Sequence, residues 1–200
     1  FPDPHHPFTP PGKYWDMYDP ADIPTPVSLR DVGDPATPAL EHMRRARADG
    51  TANTQGTLPY AVNEREAREA IALTYGMISM IDDGVGQIMQ RLEDLDLADD
   101  TIVIFMSDHG DFMGDHGLML KAALHYQGLV KVPFIWSESG QPHAGQATKA
   151  LHSTVDIART ILSRAGLAPF WGMQGKDMAP SLNDPSQDGV EAVLIEEDGH

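Results

Sequence analysis

Between Asn63 and Leu92, positions Ala67, Ile71, Thr74, Ile78, Ile81, Val85, Ile88 and Leu92 recur at spacings of three and four. That period is one face of an α-helix of about seven turns. Asn63 followed by Glu66 marks its start as a capping box. So long a stripe needs a broad partner. Gly76, Gly84 and Gly86 are poor helix formers, but they would let a sheet approach closely.

The segments that could build such a sheet are short and apolar. TIVIFM (101–106) and VPFIW (132–136) have the β-branched, near-continuous apolar character of strands covered on both faces. VEAVLI (190–195) is a third candidate. Thr37-Pro38 opens a short helix that stops at Gly50. Ser153 and Asp156 cap another, with Val155, Ala158, Ile161, Leu162 and Ala165 apolar and Gly166 closing it. Strands alternating with amphipathic helices predict an α/β fold, a central mostly parallel sheet with helices on both faces.

Residues 1–38 differ. FPDPHHPFTPPGKYWDMYDP has too much proline for regular helix or central strand. Phe1, Phe8, Tyr14, Trp15 and Tyr18 are too many rings for a solvated linker, so an ordered loop packed on the domain is expected. The 200 residues suffice for one domain with its own core. A formal net charge of -16 argues against nucleic acid and anionic membrane surfaces as partners. It leaves room for a small anionic substrate in a locally positive pocket. Cysteine is absent, which excludes disulfides, a thiolate nucleophile and cysteine metal sites within this stretch. No apolar run has the length of a transmembrane helix. The chain opens at Phe1 without an initiator methionine and reads as an internal fragment. Compartment, cytoplasmic or periplasmic, and oligomeric state stay open.

Chemistry-bearing residues crowd behind the first apolar strand, in FMSDHGDFMGDHGLMLK (105–121). Asp108 and His109 stand at the strand's carboxyl end, where open α/β sheets bind ligands. They offer an oxygen and a nitrogen to a divalent cation. Gly110 permits a sharp turn beside them. Asp111 and Asp115 read as solvated turn carboxylates. His116 reads equally as a substrate contact or as support for a ligating residue. Lys121, within the apolar stretch GLMLKAAL, would be costly to bury without an anion, and it suits the oxygens of a transferring group. Met106, Met113 and Met119 read as packing. A cation that gathers charge and activates an oxygen nucleophile, with a histidine protonating the leaving group, describes ester hydrolysis.

These residues resemble the sulfatases of the alkaline phosphatase superfamily, most of all the branch with phosphonate monoester hydrolases and iduronate- and choline-type sulfatases. PDPHHPFTPP is similar to that family's histidine loop, and the helix at 75–95 to its YxxMISxIDDxVGxI helix. FMSDHGDFMGDHGLMLK resembles its late metal and lysine motif, and LHYQGLVKVPFIW the segment leading to the next strand. HSTVDIARTIL and LAPFWGMQGKDMAP fit the stretch that follows. The resemblance implies an alkaline-phosphatase-like sheet, incomplete because its N-terminal part is missing. It makes 1–200 the C-terminal portion of a catalytic domain: an active-site loop region and short helix (1–60), an α/β core (61–180), and the start of a following region (181–200). It further implies that Asp108 and His109 are the second pair of metal ligands, other sulfatases carrying Asn at the second position. Lys121 would grip sulfate or phosphonate oxygens, His5 would lie near the leaving group, and His116 would face the site. His6 is given no role.

The family's nucleophile is a formylglycine made from Cys or Ser in a C/S-x-P/A-x-R segment. Here there is no Cys, and no Arg has Ser four positions before it. An early Asp pair of the metal cage is missing as well. Both are expected upstream of residue 1, so the parent protein would be the hydrolase and this stretch alone inactive and a poor metal binder. The leading expectation is a sulfuric ester hydrolase with Ca2+. The alternative is a phosphonate monoester or phosphodiester hydrolase with Mn2+, towards which the imidazole at 109 leans. A non-catalytic sugar-sulfate-binding domain is the third. Trp15, Tyr18 and residues 51–60 are candidates for the alcohol pocket.

Overall fold

The computed structural model describes residues 1–29, 37–54, 56–122 and 124–196. They fall into two compact units. The first comprises Phe1–Asp96 and His109–Val132, the second Leu97–Asp108 and Pro133–His200.

In the first unit, helix α1 (Pro38–Ala48) begins where the Leu40 N–H donates to Thr37 Oγ1, with proline at the first helical position. Strand β1 (Tyr60–Ala61) leads into α2 (Glu64–Asp94). Both halves of the capping box form: Glu66 N–H donates to Asn63 Oδ1, and Asn63 N–H to Glu66 Oε2, each at 3.0 Å. β1 pairs antiparallel with β3 (Leu118–Met119), Tyr60 opposite Met119. The short helix α3 (Gln127–Val130) follows.

Burial divides α2. Ile71 and Ala72 pack with Ile23, and Ala70 packs with Met119 and Leu120. Further along the same stripe, Ile78 and Ile88 are 47% and 53% exposed. At Gly76 the close neighbour is the Pro-rich loop and not a sheet: a Cβ there would lie 2.1 Å from the Tyr14 carbonyl oxygen. Hydroxyls fix that loop along α2. Tyr14 Oη donates to Asp83 Oδ2 at 2.6 Å, and Tyr18 Oη and Ser79 Oγ share a bond of 2.8 Å. The anchoring is polar, so rings such as Trp15 stay exposed.

In the second unit, β2 (Val103–Met106) and β4 (Phe134–Ser137) pair antiparallel, Val103 opposite Ser137 and Met106 opposite Phe134. The same unit holds helices α4 (Val155–Arg164) and α5 (Ala179–Asn183) and a 3-10 turn, Ala98–Asp100. Its polar centre is the buried Asp156, which accepts the Ser153 N–H at 2.9 Å and the Lys176 N–H at 2.8 Å. The Thr160 hydroxyl donates to the Asp156 carbonyl at 2.8 Å and accepts the Met178 N–H at 2.9 Å. These bonds satisfy groups that burial would otherwise penalise.

The central, mostly parallel sheet expected from the sequence is not formed. The described residues make two antiparallel two-stranded sheets, β1–β3 and β2–β4. The reason lies in the connection. Parallel neighbours need a crossover, usually a helix, to carry the chain back to its starting end. Between β2 and β4 the described helical elements are only the 3-10 turn Asp115–Gly117 and the four-residue α3. An apolar run does not report strand direction, nor is either strand covered on both faces: Ile135 is 59% exposed. Residues 190–195 form no strand; Val190 N–H donates to the Leu151 carbonyl at 2.9 Å. Among the described residues no helix is long and apolar enough to cross a membrane.

Candidate functional site

The segment from His109 to Lys121 is shaped by its own backbone. Gly110 N–H donates to the Leu129 carbonyl at 2.8 Å, Phe112 N–H to Leu120 at 2.9 Å, and Gly114 N–H to Leu118 at 2.8 Å. Gly110 has to be glycine, because a Cβ would sit 1.8 Å from the Gly128 carbonyl oxygen. Phe112, 1% exposed, anchors the loop in a cluster with Leu40, Ala61, Leu118 and Leu129. Met113, His116 and Leu120 take left-handed φ angles of 44°, 56° and 67°. For side chains other than glycine that is strained backbone, of the kind that gathers at functional sites. Leu120 places this strain directly before Lys121.

Asp115 is part-buried and bonded within the fold. It accepts the Ser28 hydroxyl at 2.7 Å, and Ser28 Oγ accepts the His116 N–H at 3.2 Å. The His116 ring lies 4.0 Å from the Tyr126 ring, tilted by 30°. Both contacts restrain His116, the first through its backbone and the second through its ring.

Charges from the two ends of the first unit's sequence meet here. Burial holds His6 below the usual imidazole range, neighbouring His5 and Lys121 push it the same way, and Asp111 opposes them. Burial likewise holds the Asp111 carboxyl above the usual carboxylate range, against the Met113 N–H, Lys121, the Leu120 N–H and His6. His5, His6, Asp111 and Lys121 therefore share one electrostatic neighbourhood. The His5 and His6 rings stack at 4.1 Å. His6 Nδ1 is buried without a hydrogen-bond partner. Two members of this group, His6 and Asp111, were not singled out by the sequence. The one signal for His6 was its place beside His5, and Asp111 read as an ordinary turn residue.

Two histidines share a device. His5 Nδ1 lies 2.7 Å from the His6 carbonyl, and His109 Nδ1 lies 2.9 Å from the Gly110 carbonyl. A carbonyl oxygen can only accept, so each Nδ1 carries the hydrogen and Nε2 becomes the nitrogen with the lone pair. For His109 this suits a metal ligand. Asp108 and His109 are exposed. Asp108 ends a segment of the second unit and His109 begins one of the first. As donor types, a carboxylate and an imidazole fit a divalent cation. As a number, two fall short of the six to eight oxygens that Ca2+ takes, about what a full cage requires. Among the described residues no group of three or more His, Asp or Glu could hold a metal ion.

A sulfatase family profile matches residues 1–167, and the chain belongs to the sulfatase family. It is 30% identical over 186 residues to the multifunctional alkaline phosphatase superfamily protein PehA of Trinickia caryophylli, covering 90% of this chain and 35% of that protein. It is 30% identical over 193 residues to an arylsulfatase of Clostridium perfringens, covering 94% of this chain and 38% of that one. The chain thus spans little more than a third of the length of these relatives. Among solved structures, the phosphonate monoester hydrolase of Agrobacterium radiobacter matches with a TM-score of 0.73 at 27% identity, covering 94% of this chain and 38% of that one.

Proposed function

We propose that the chain forms part of a sulfatase-type hydrolase acting on small anionic sulfate esters. The observation that supports this best is the shared charge neighbourhood of His5, His6, Asp111 and Lys121. Membership of the sulfatase family supports it independently.

In this reading, Lys121 draws in the non-bridging oxygens of the ester and steadies the charge that grows on them in the transition state. His5, whose Nδ1–H is engaged by the His6 carbonyl, keeps Nε2 as the atom that carries and releases a proton. With His5 in its imidazolium form, the Nε2 proton passes to the alcohol oxygen as its bond to sulfur breaks, leaving the neutral imidazole. His116, restrained by Ser28 and Tyr126, serves as a positioning contact. A divalent cation, Ca2+ for sulfate esters, held in part by Asp108 and His109, would supply Lewis acidity to the nucleophile. The nucleophile itself is expected elsewhere in the protein, as formylglycine, because these 200 residues contain no Cys and no Ser four positions before an Arg.

His109 and the likeness to a phosphonate monoester hydrolase favour a second reading, phosphonate or phosphodiester hydrolysis with Mn2+. One experiment separates the two. The intact protein is assayed on 4-nitrophenyl sulfate and on a 4-nitrophenyl phosphonate monoester, with Ca2+ and with Mn2+. The sulfatase reading expects the higher kcat/KM on the sulfate with Ca2+. A clear preference for the phosphonate with Mn2+ favours the second reading, and no turnover of either overturns both.

A further inference from the structure

His5 and His6 are neighbours in sequence, and their rings stack with centroids 4.1 Å apart and planes 29° from parallel. We propose that His6 is a positioning residue for the hydrolysis: its uncharged ring backs the His5 ring and leaves the pair's first proton on His5. The proposal rests on the hydrolase reading above, in which His5 protonates the leaving alcohol.

Three observations carry it. The first is geometry. His6 holds the His5 imidazole at two places. Its carbonyl oxygen accepts from His5 Nδ1 at 2.7 Å, and its ring lies against one face of the His5 ring. His5 itself is exposed, so little else stops its ring from turning. Tied at one edge and backed on one face, the ring keeps Nε2 pointing one way. A proton donor misplaced by about 1 Å forfeits much of its rate.

The second is an orphaned atom. His6 Nδ1 is buried without a hydrogen-bond partner. An imidazolium carries a hydrogen on both ring nitrogens. Charging His6 would therefore leave a buried N–H donor with nothing to accept it, which burial penalises. His5 meets no such obstacle, because its Nδ1–H already has the His6 carbonyl.

The third is charge. Two imidazolium rings at 4.1 Å would repel each other strongly, so the pair takes up its protons one at a time. The surroundings of His6 discourage the charge there. Burial, His5 and Lys121 all press its value down, and Asp111 only partly offsets them. The first proton is left to His5, the exposed member of the pair.

The test uses the intact protein and two sulfate esters. Phenyl sulfate has a reluctant leaving group that needs the proton, whereas 4-nitrophenyl sulfate has one that departs readily without it. His6→Ala removes the ring, and His6→Lys sets a lasting cation beside His5. In both, kcat/KM on phenyl sulfate is expected to fall at least about tenfold, part of the roughly 10²–10⁴ that a positioned proton donor contributes, while 4-nitrophenyl sulfate loses less than about threefold. His6→Phe, which keeps an uncharged ring, should recover most of the His6→Ala loss. The alkaline limb of the phenyl sulfate pH profile should lie about one pH unit lower in His6→Lys than in wild type. Equal losses on the two esters with an unmoved limb make His6 packing only and overturn the proposal, as does full phenyl sulfate activity in His6→Lys. NMR titration of the wild-type imidazole ring protons reads the pair without turnover. His5 should take up its proton before His6, and the reverse order overturns the proposal. If neither ester is turned over and His5 still protonates first, the hydrolase reading fails while the placing of the proton on His5 stands.

Discussion

Ser28 and Asp115, 87 residues apart, are joined by a hydrogen bond of 2.7 Å from hydroxyl to carboxylate. The same hydroxyl oxygen accepts the His116 N–H, so a single small side chain in the Pro-rich region fixes the backbone of the histidine-bearing turn. Ser28→Ala removes both bonds and leaves a part-buried carboxylate short of a donor. Hydrogen bonds to charged groups contribute about 1.5–3 kcal/mol, so a loss in the lower part of that range is expected. Urea unfolding of the intact protein checks it, with the midpoint falling and the slope unchanged.

Gly110→Ala should be more damaging than its one added methyl suggests. The new Cβ would stand 1.8 Å from the Gly128 carbonyl oxygen, which is backbone and cannot rotate aside. Overpacking of this kind costs about 1–3 kcal/mol and occasionally more. Thermal unfolding of the variant beside wild type reads the loss directly, and equal melting temperatures would contradict the close contact.

Lys121→Met keeps much of the side-chain volume and deletes the charge. If the ammonium steadies the ester oxygens in the transition state, kcat/KM on a sulfate ester should fall by about 10²–10³, the scale of removing one such donor. Arg at this position should restore only part of the rate, since its planar fork places charge differently. Circular dichroism establishes whether the variants stay folded.

His6 makes stability depend on pH in a definite direction. Burial, with His5 and Lys121, holds its folded value below the ordinary 6.5, and Asp111 only partly offsets them. Between the two values the unfolded chain binds the proton and the folded one resists it, so stability rises with pH. The contribution is complete above 6.5 and shrinks as the pH falls below it. The melting temperature of wild type should drop on acidification from pH 7 to pH 5. His6→Phe, which keeps a ring beside His5, should show a shallower drop.

What could be read from the sequence follows the range of the forces involved. The α2 start was legible because Asn63 and Glu66 are near neighbours that bond each other's backbone. The α1 start was legible because Thr37-Pro38 acts within one turn. Sheet direction was not legible, since apolar runs such as TIVIFM and VPFIW do not encode it, and the pair they form is antiparallel. The same limit hid Asp111, whose composition is that of any turn carboxylate until Lys121 and His6 arrive from elsewhere in the chain. Ser28 carried no signal at all, because its partner lies 87 residues away.

Met106 and Phe134 are opposite one another on the β2–β4 ladder, and residues 107–133 leave and return between them. The two ends of the excursion are therefore pinned about 5 Å apart, the spacing of facing residues in an antiparallel pair. A protease cut inside the excursion would therefore leave one stump on each of two paired strands. The excursion is also fastened along its length, by Phe112, Leu118 and Leu129 in the cluster with Leu40 and Ala61. Asp108, His109, His116 and Lys121 all lie within this doubly tied stretch.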